Sequence, residues 1–180
     1  MSGDNNWEDD NFDDDEFDPR SAPAHVVYAR QEHLVATTDP DSDKEVYRKP
    51  GFDGVTPIEE LDARASQFLK AAREKKGLKQ GDMSSLLGLS QQVYGRYERN
   101  LLKLNLNRVI VLSEVLGFHP TEMLFSVAPH LFGGSKEAAG ERSELYVKLA
   151  NLPDELIHDL LAMITQVEKI NRQANRKRRH

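Results

Sequence analysis

Between Thr56 and Phe125, helix starts and stops recur so closely that only short helices can form, and no other feature constrains the fold as tightly. Thr56 can cap a helix, Pro57 suits its first turn and Glu59 completes a capping box. Leu61, Ala65, Phe68, Leu69 and Ala72 then fall on one helical face, and Gly77 stands where a left-handed residue ends it. A short second helix runs from about Gln80 to Leu87 and stops at Gly88. Ser90 can cap a third, Gln91 to about Arg99. Asn105 can cap a fourth, with Leu106, Val109, Ile110, Leu112 and Leu116 facing inward and Gly117 closing it. A fifth starts at Pro120 and carries Met123, Leu124 and Phe125. The spacing predicts an all-α fold, a compact five-helix domain over residues 56–126.

The flanks read differently. Residues 1–18 hold 9 acidic residues, with Trp7, Phe12 and Phe17 among them and no helix or strand period. Residues 19–55 continue with Pro19, Pro23, Pro40 and Pro50, and only Val26-Val27-Tyr28 offers a short apolar run fit for a strand. Residues 1–55 are therefore expected to be a disordered acidic arm and linker. As a flexible tether, residues 19–55 would span about 30–37 Å. Residues 127–140, with Pro129, Gly133-Gly134-Ser135 and Gly140, read as a second linker. Residues 141–180 read as a C-terminal helical segment, opened anew at Pro153 and ending in the basic tail Arg176–His180. There is no internal repeat.

Composition narrows the function. No cysteine is present, which excludes a disulfide-stapled domain, a thiol nucleophile and cysteine-ligated metal. No apolar run approaches the ~20 residues of a membrane span. The acidic start is unlike a secretory leader, so a cytoplasmic protein without membrane contact is expected. The net charge of −6 splits unevenly. Residues 1–55 carry 15 acidic against 5 basic side chains, and residues 56–180 carry 15 against 19. An acidic arm on a mildly basic body suggests a nucleic-acid partner for the body. His25, His33, His119, His130, His158 and His180 show no metal-ligand spacing, and Gly133-Gly134-Ser135-Lys136 lacks the pattern of a phosphate loop. Neither catalysis, nor a metal, nor a cofactor is expected.

Within the helical stretch, Met83, Leu87 and Leu89 supply apolar contacts, and Gly88 permits a tight turn. Tyr94 and Tyr97, three apart, seat the next helix on the core. Gln91, Gln92, Gly95 and Arg96 are left on its opposite face, free to project. Gln and Arg read base edges, the first bidentate to adenine and the second to guanine. Four motifs stand in order here: Arg73-Glu74-x-x-Gly77-Leu78-x-Gln80, Leu87-Gly88-Leu89-Ser90-Gln91, Tyr97-Glu98-Arg99 and Leu116-Gly117-x-x-Pro120. Together they resemble the phage-repressor and Cro type of helix-turn-helix, the XRE-type family of DNA-binding domains. The likeness covers roughly residues 58–126.

The resemblance implies a sequence-specific regulator of transcription, repressor-like, that binds double-stranded DNA with residues 91–99 in the major groove. It implies base reading by Gln91, Gln92 and Arg96, and backbone contacts by Lys79, Gln80, Ser90 and Lys103, with Gln80 also buttressing Gln91. It implies an internal salt bridge between Arg73 and Glu98. The chain departs from the family at Asn100-Leu101-Leu102-Lys103-Leu104, where glycine and basic residues are usual, and at Leu86. Asn100 can adopt the left-handed turn. The extra leucines suggest apolar surface covered by the C-terminal helix or a second subunit. Leu156, Leu160, Met163, Val167, Ile170 and Ala174 step by four and three residues, the seam of a coiled coil. Ile157, Leu161 and Ile164 flank it, so the helix fits either dimerisation or packing on its own domain. A homodimer on an inverted repeat is the expected form. The alternatives are an antitoxin that represses its own operon, its acidic arm wrapping a toxin, and an interaction adaptor with vestigial DNA binding.

Overall fold

The computed structural model describes residues 20–40 and 42–178, with the side chains of 175–178 not described, and divides the chain at Pro50 into two units. The acidic run 1–18, with Trp7, Phe12 and Phe17, and the tail's Arg179 and His180 lie outside the described residues.

The first unit corrects two expectations. Helix α1 (Ala24–Gln31) precedes an antiparallel hairpin of strands β1 (Val35–Asp39) and β2 (Ser42–Arg48). Val35 faces Arg48, Ala36 faces Tyr47 and Thr37 faces Val46, with a register irregularity between Thr37 and Asp39. The fold is thus mostly helical with a small sheet, and residues 24–31, 35–39 and 42–48 form regular elements where a disordered arm was expected. The run Val26-Val27-Tyr28 is helical because Ala24 and Ala29 to Gln31 extend it on both sides. The hairpin forms where Asp39-Pro40 starts a turn and Ser42 Oγ accepts from the Lys44 amide.

The second unit carries the remaining helices: α2 (Ile58–Lys75), α3 (Gln80–Leu86), α4 (Gln91–Glu98), α5 (Leu106–Leu116), α6 (Pro120–Val127), α7 (Lys136–Ala150) and α8 (Asp154–Arg178), with a 3₁₀ turn at Pro129–Leu131. Leu69, Met83, Tyr94, Tyr97, Leu112 and Leu116 form its core, one or more from each of α2 to α5. Phe68 meets Phe118 edge-on, ring centroids 5.1 Å apart, and closes the core beside α6.

The caps decide the boundaries. Ser90 Oγ accepts from the Val93 amide and Asn105 Oδ1 from the Arg108 amide, as short polar side chains do at helix starts. Helix α2 starts at Ile58 with Pro57 as its cap residue, one position later than the cap expected at Thr56. The expected linker 127–140 is also shorter than read, because Ser135 Oγ accepts from the Ala138 amide and starts α7 at Lys136, with Gly140 inside the helix. Five helices in the core stretch become seven in the unit, counting α7 and α8. The last differs from the rest: from Leu161 to Ala174 every residue of α8 is exposed. The alternative of a C-terminal helix packed on its own domain does not hold for that length.

Candidate nucleic-acid interface

Helix α3, a turn at Leu87–Ser90 and helix α4 make the element that matters. Gly88 sits at φ 64° in that turn, a conformation that costs a side-chain-bearing residue about 1 kcal/mol or more. Leu87 and Leu89 on either side pack against the core, so the turn is pinned. Tyr94 and Tyr97 bury the inner face of α4, and Gln91, Gln92 and Arg96 are exposed on the outer one.

A buried polar cluster fixes how α4 is held. Arg73 from α2 meets Glu98 from α4 as a fork, Nε to Oε1 at 2.6 Å and Nη2 to Oε2 at 3.0 Å. Its remaining nitrogen, Nη1, donates to the Leu78 carbonyl at 2.6 Å. Gln80 Nε2 from α3 donates to Glu98 Oε2 at 2.8 Å. One carboxylate therefore ties three helices together. Burial alone would raise the Glu98 carboxyl, but the hydrogen bonds from Arg73 and Gln80 outweigh it and hold it below the usual range. The same contact raises the Arg73 guanidinium. The Tyr94 hydroxyl lies fully buried near this pair and makes no hydrogen bond with the described residues. Its burial, with the Glu98 charge close by, pushes the phenol far up.

Two placements differ from the sequence reading. Gly95 is buried instead of projecting. A Cβ there would stand 2.8 Å from Arg99 Nη1 and 3.1 Å from Gln80 Oε1, so the missing side chain is the space that Arg99 and Gln80 fill. Gln80 faces Glu98 and Gly95, while the side-chain oxygen of Gln91 lies 3.7 Å from the Cβ position of Gly81. Arg99 was not among the expected site residues. It is exposed and folds back along α4 over Gly95, and the sign of it in the sequence is a glycine four positions before an arginine.

Of the residues expected to contact the DNA backbone, three stand on the surface and Gln80 is half-buried. Lys79, Ser90 and Lys103 are exposed, Ser90 being also the cap of α4. Asn100 takes φ 56°, the left-handed turn its side chain tolerates. Of the extra leucines, Leu102 and Leu104 pack on the domain's own core, which needs neither α8 nor a second subunit. Leu86 and Leu101 stay exposed. Arg108 stacks its guanidinium 5.7 Å from the centre of the Tyr97 ring, adding a cation beside the end of α4.

A helix-turn-helix family model matches residues 69–123, from the middle of α2 to α6. That stretch is a helix-turn-helix domain of the XRE type. It takes up under a third of the chain, and its general role is DNA binding in regulation. No curated protein matches the chain. Among the described residues there is no helix long and apolar enough to cross a membrane and no group of acidic and histidine side chains set to hold a metal.

Proposed function

We propose that the chain is a sequence-specific transcriptional regulator, binding as a homodimer to an inverted repeat with α4 in the major groove of each half-site. The observation that carries this is the division of α4. One face is locked by Tyr94, Tyr97 and the Arg73–Glu98–Gln80 cluster, and the other offers Gln91, Gln92 and Arg96 to solvent. Locking matters because base readout needs side chains held on a rigid element. Gln91 and Gln92 suit adenine and Arg96 suits guanine. Lys79, Ser90 and Lys103 take the phosphates, which set orientation without reading sequence. Gln80, taken up by Glu98, can offer DNA only its remaining amide hydrogen and oxygen.

Arg96→Ala tests this on DNA fragments selected by the protein itself. It should weaken binding by about 1–3 kcal/mol and relax the preference at one position of each half-site. Unchanged affinity and preference would overturn the docking. A second reading, an interaction adaptor, draws support from Leu86 and Leu101, exposed where phosphate-binding side chains are expected. Retained function after joint substitution of Gln91 and Arg96 would favour it.

A further inference from the structure

On α8, Leu156, Met163, Ile164, Val167 and Ile170 are each between 48 and 57% exposed. With the half-buried Leu160 and the small Ala174 they make one continuous seam, and none of the described residues covers it from residue 161 onwards. The helix is also charged unevenly. Asp154, Glu155 and Asp159 lie at its start; Lys169 and Arg172 lie towards its end with one acid, Glu168, which pairs with Arg172 at 3.4 Å, and Arg176, Lys177 and Arg178 follow in the sequence.

We propose that two copies of this chain pair through α8 in antiparallel, with Leu156 against Ala174 of the second copy, Leu160 against Ile170 and Met163 against Val167. This rests on the reading of the chain as a DNA-binding homodimer. The antiparallel register is complete: all three layers share one centre, at Thr165, so every seam residue finds an apolar partner, as it also would in a parallel pair. Two further features of α8 select the direction. Ile164 and its copy flank that centre, which gives the second apolar stripe a role. A parallel pair would set the acidic starts against each other and the basic ends against each other, whereas the antiparallel pair sets acid beside base.

The direction also fixes where the DNA-binding domains go. At about 1.5 Å of rise per residue, the two α8 starts in this register lie roughly 33 Å apart. Half-sites one turn apart on the same face of DNA are separated by about 34–36 Å. In a parallel pair the starts would be about 10 Å apart. The antiparallel pair is therefore a spacer whose length suits successive major grooves.

The absence of native cysteine makes the test direct, since every introduced thiol reports alone. Full-length Leu156→Cys and Ala174→Cys are mixed, oxidised and compared with each variant oxidised by itself. Leu160→Cys with Ile170→Cys gives a second, independent pair should the first disturb folding. The masses of the unmodified protein and of each reduced variant are taken by sedimentation equilibrium. The proposal expects dimers, cross-links in both mixtures, and none from Ala174→Cys or Ile170→Cys alone. Two copies of residue 174 would lie about 27 Å apart, against a limit near 7 Å for a disulfide. A dimer in which Ala174→Cys and Ile170→Cys each link to themselves is parallel and overturns the proposal while leaving the homodimer. A dimer without any of these links has its interface elsewhere and overturns it too. A monomeric unmodified protein overturns the homodimer reading itself.

Discussion

Helices α4 and α8 are both amphipathic, yet they differ in what their apolar faces meet. In α4, Tyr94 and Tyr97 are buried against α2, α3 and α5, and a shared carboxylate adds a fixed rotation about the helix axis. In α8 the apolar seam from Leu161 onwards meets no partner among the described residues. The face of α4 that stays exposed is polar, while in α8 it is the apolar face itself that lacks a partner among the described residues. On the proposed reading, the first serves to read DNA and the second to hold two readers at a set distance.

The largest effect is expected where α4 is locked. Glu98→Ala leaves Arg73 and Gln80 without their buried acceptor, and breaking such a pair costs roughly 3–5 kcal/mol. Thermal or denaturant unfolding should show the domain near collapse, with DNA binding lost for that reason. The pH dependence has a definite sign. The folded Glu98 carboxyl sits below its unfolded value of about 4.3, so its contribution is full above that pH. It fades as the pH falls through the folded value. Glu98→Gln should flatten that acid limb in unfolding titrations; an unchanged limb would show that Glu98 does not govern it.

Next comes the bare seam. Val167→Asp places a charge in the middle of α8, where it can disturb no packed core. The melting of the helix-turn-helix domain should stay as it is, while the mass halves and operator affinity falls by about 100-fold or more, the usual scale for losing a tethered second site. An equal loss of domain stability would mean that α8 is part of the domain's packing, and the contrast with α4 would fail.

Local chemistry made most of the α4 region legible. Ser90 and Asn105 cap because their side chains can reach the amide three residues on, a fact of spacing alone. Tyr94 and Tyr97 are buried because their three-residue step puts both on one face. The Arg73–Glu98 pair joins residues 25 apart in sequence and was readable only through the family likeness. What escaped depended on local competition or on space. Helix α2 started one residue later than Thr56 had suggested, and Ser135 started α7 ahead of the glycine that had looked like a break. The hairpin at 35–48 is two short strands in a polar stretch, too brief for alternation to stand out. Arg99 escaped because a glycine's vacancy leaves no mark on hydrophobic periodicity.

That vacancy gives a smaller, sharper prediction for α4. With Gly95→Val, the new side chain must displace the Arg99 guanidinium and press on Gln80. If Arg99 supplies a phosphate or base contact from its folded-back position, Gly95→Val and Arg99→Ala should weaken DNA binding alike, by about 1.5–3 kcal/mol, the size of one charged contact. Circular dichroism and unfolding distinguish this from damage to the cluster. Arg99→Ala with full affinity would leave Arg99 a mere surface cation.

The smallest effect is expected from the acidic arm, residues 1–18, read from its sequence alone. The regular elements at 24–31, 35–39 and 42–48 remove the long flexible tether that the sequence had suggested, so a reach of about 30–37 Å no longer follows. Charge still acts without reach. Nine acidic residues carried on the same chain as a mildly basic body repel phosphate and compete for the same cations. Non-specific complexes, with dissociation constants of roughly 10⁻⁴–10⁻⁶ M, rest almost wholly on those charges. Operator complexes add base contacts that the arm does not oppose, so they should suffer less in proportion. Replacing the nine with Asn and Gln should therefore tighten binding to scrambled DNA a few-fold and to operator hardly at all. The difference should shrink as salt rises, since at about 0.15 M charges are screened beyond roughly 8 Å. Titrations of both proteins on both DNAs at two salt concentrations measure it. Equal tightening on operator and scrambled DNA would make the arm a general brake on binding, and no tightening on either would leave it for a protein partner.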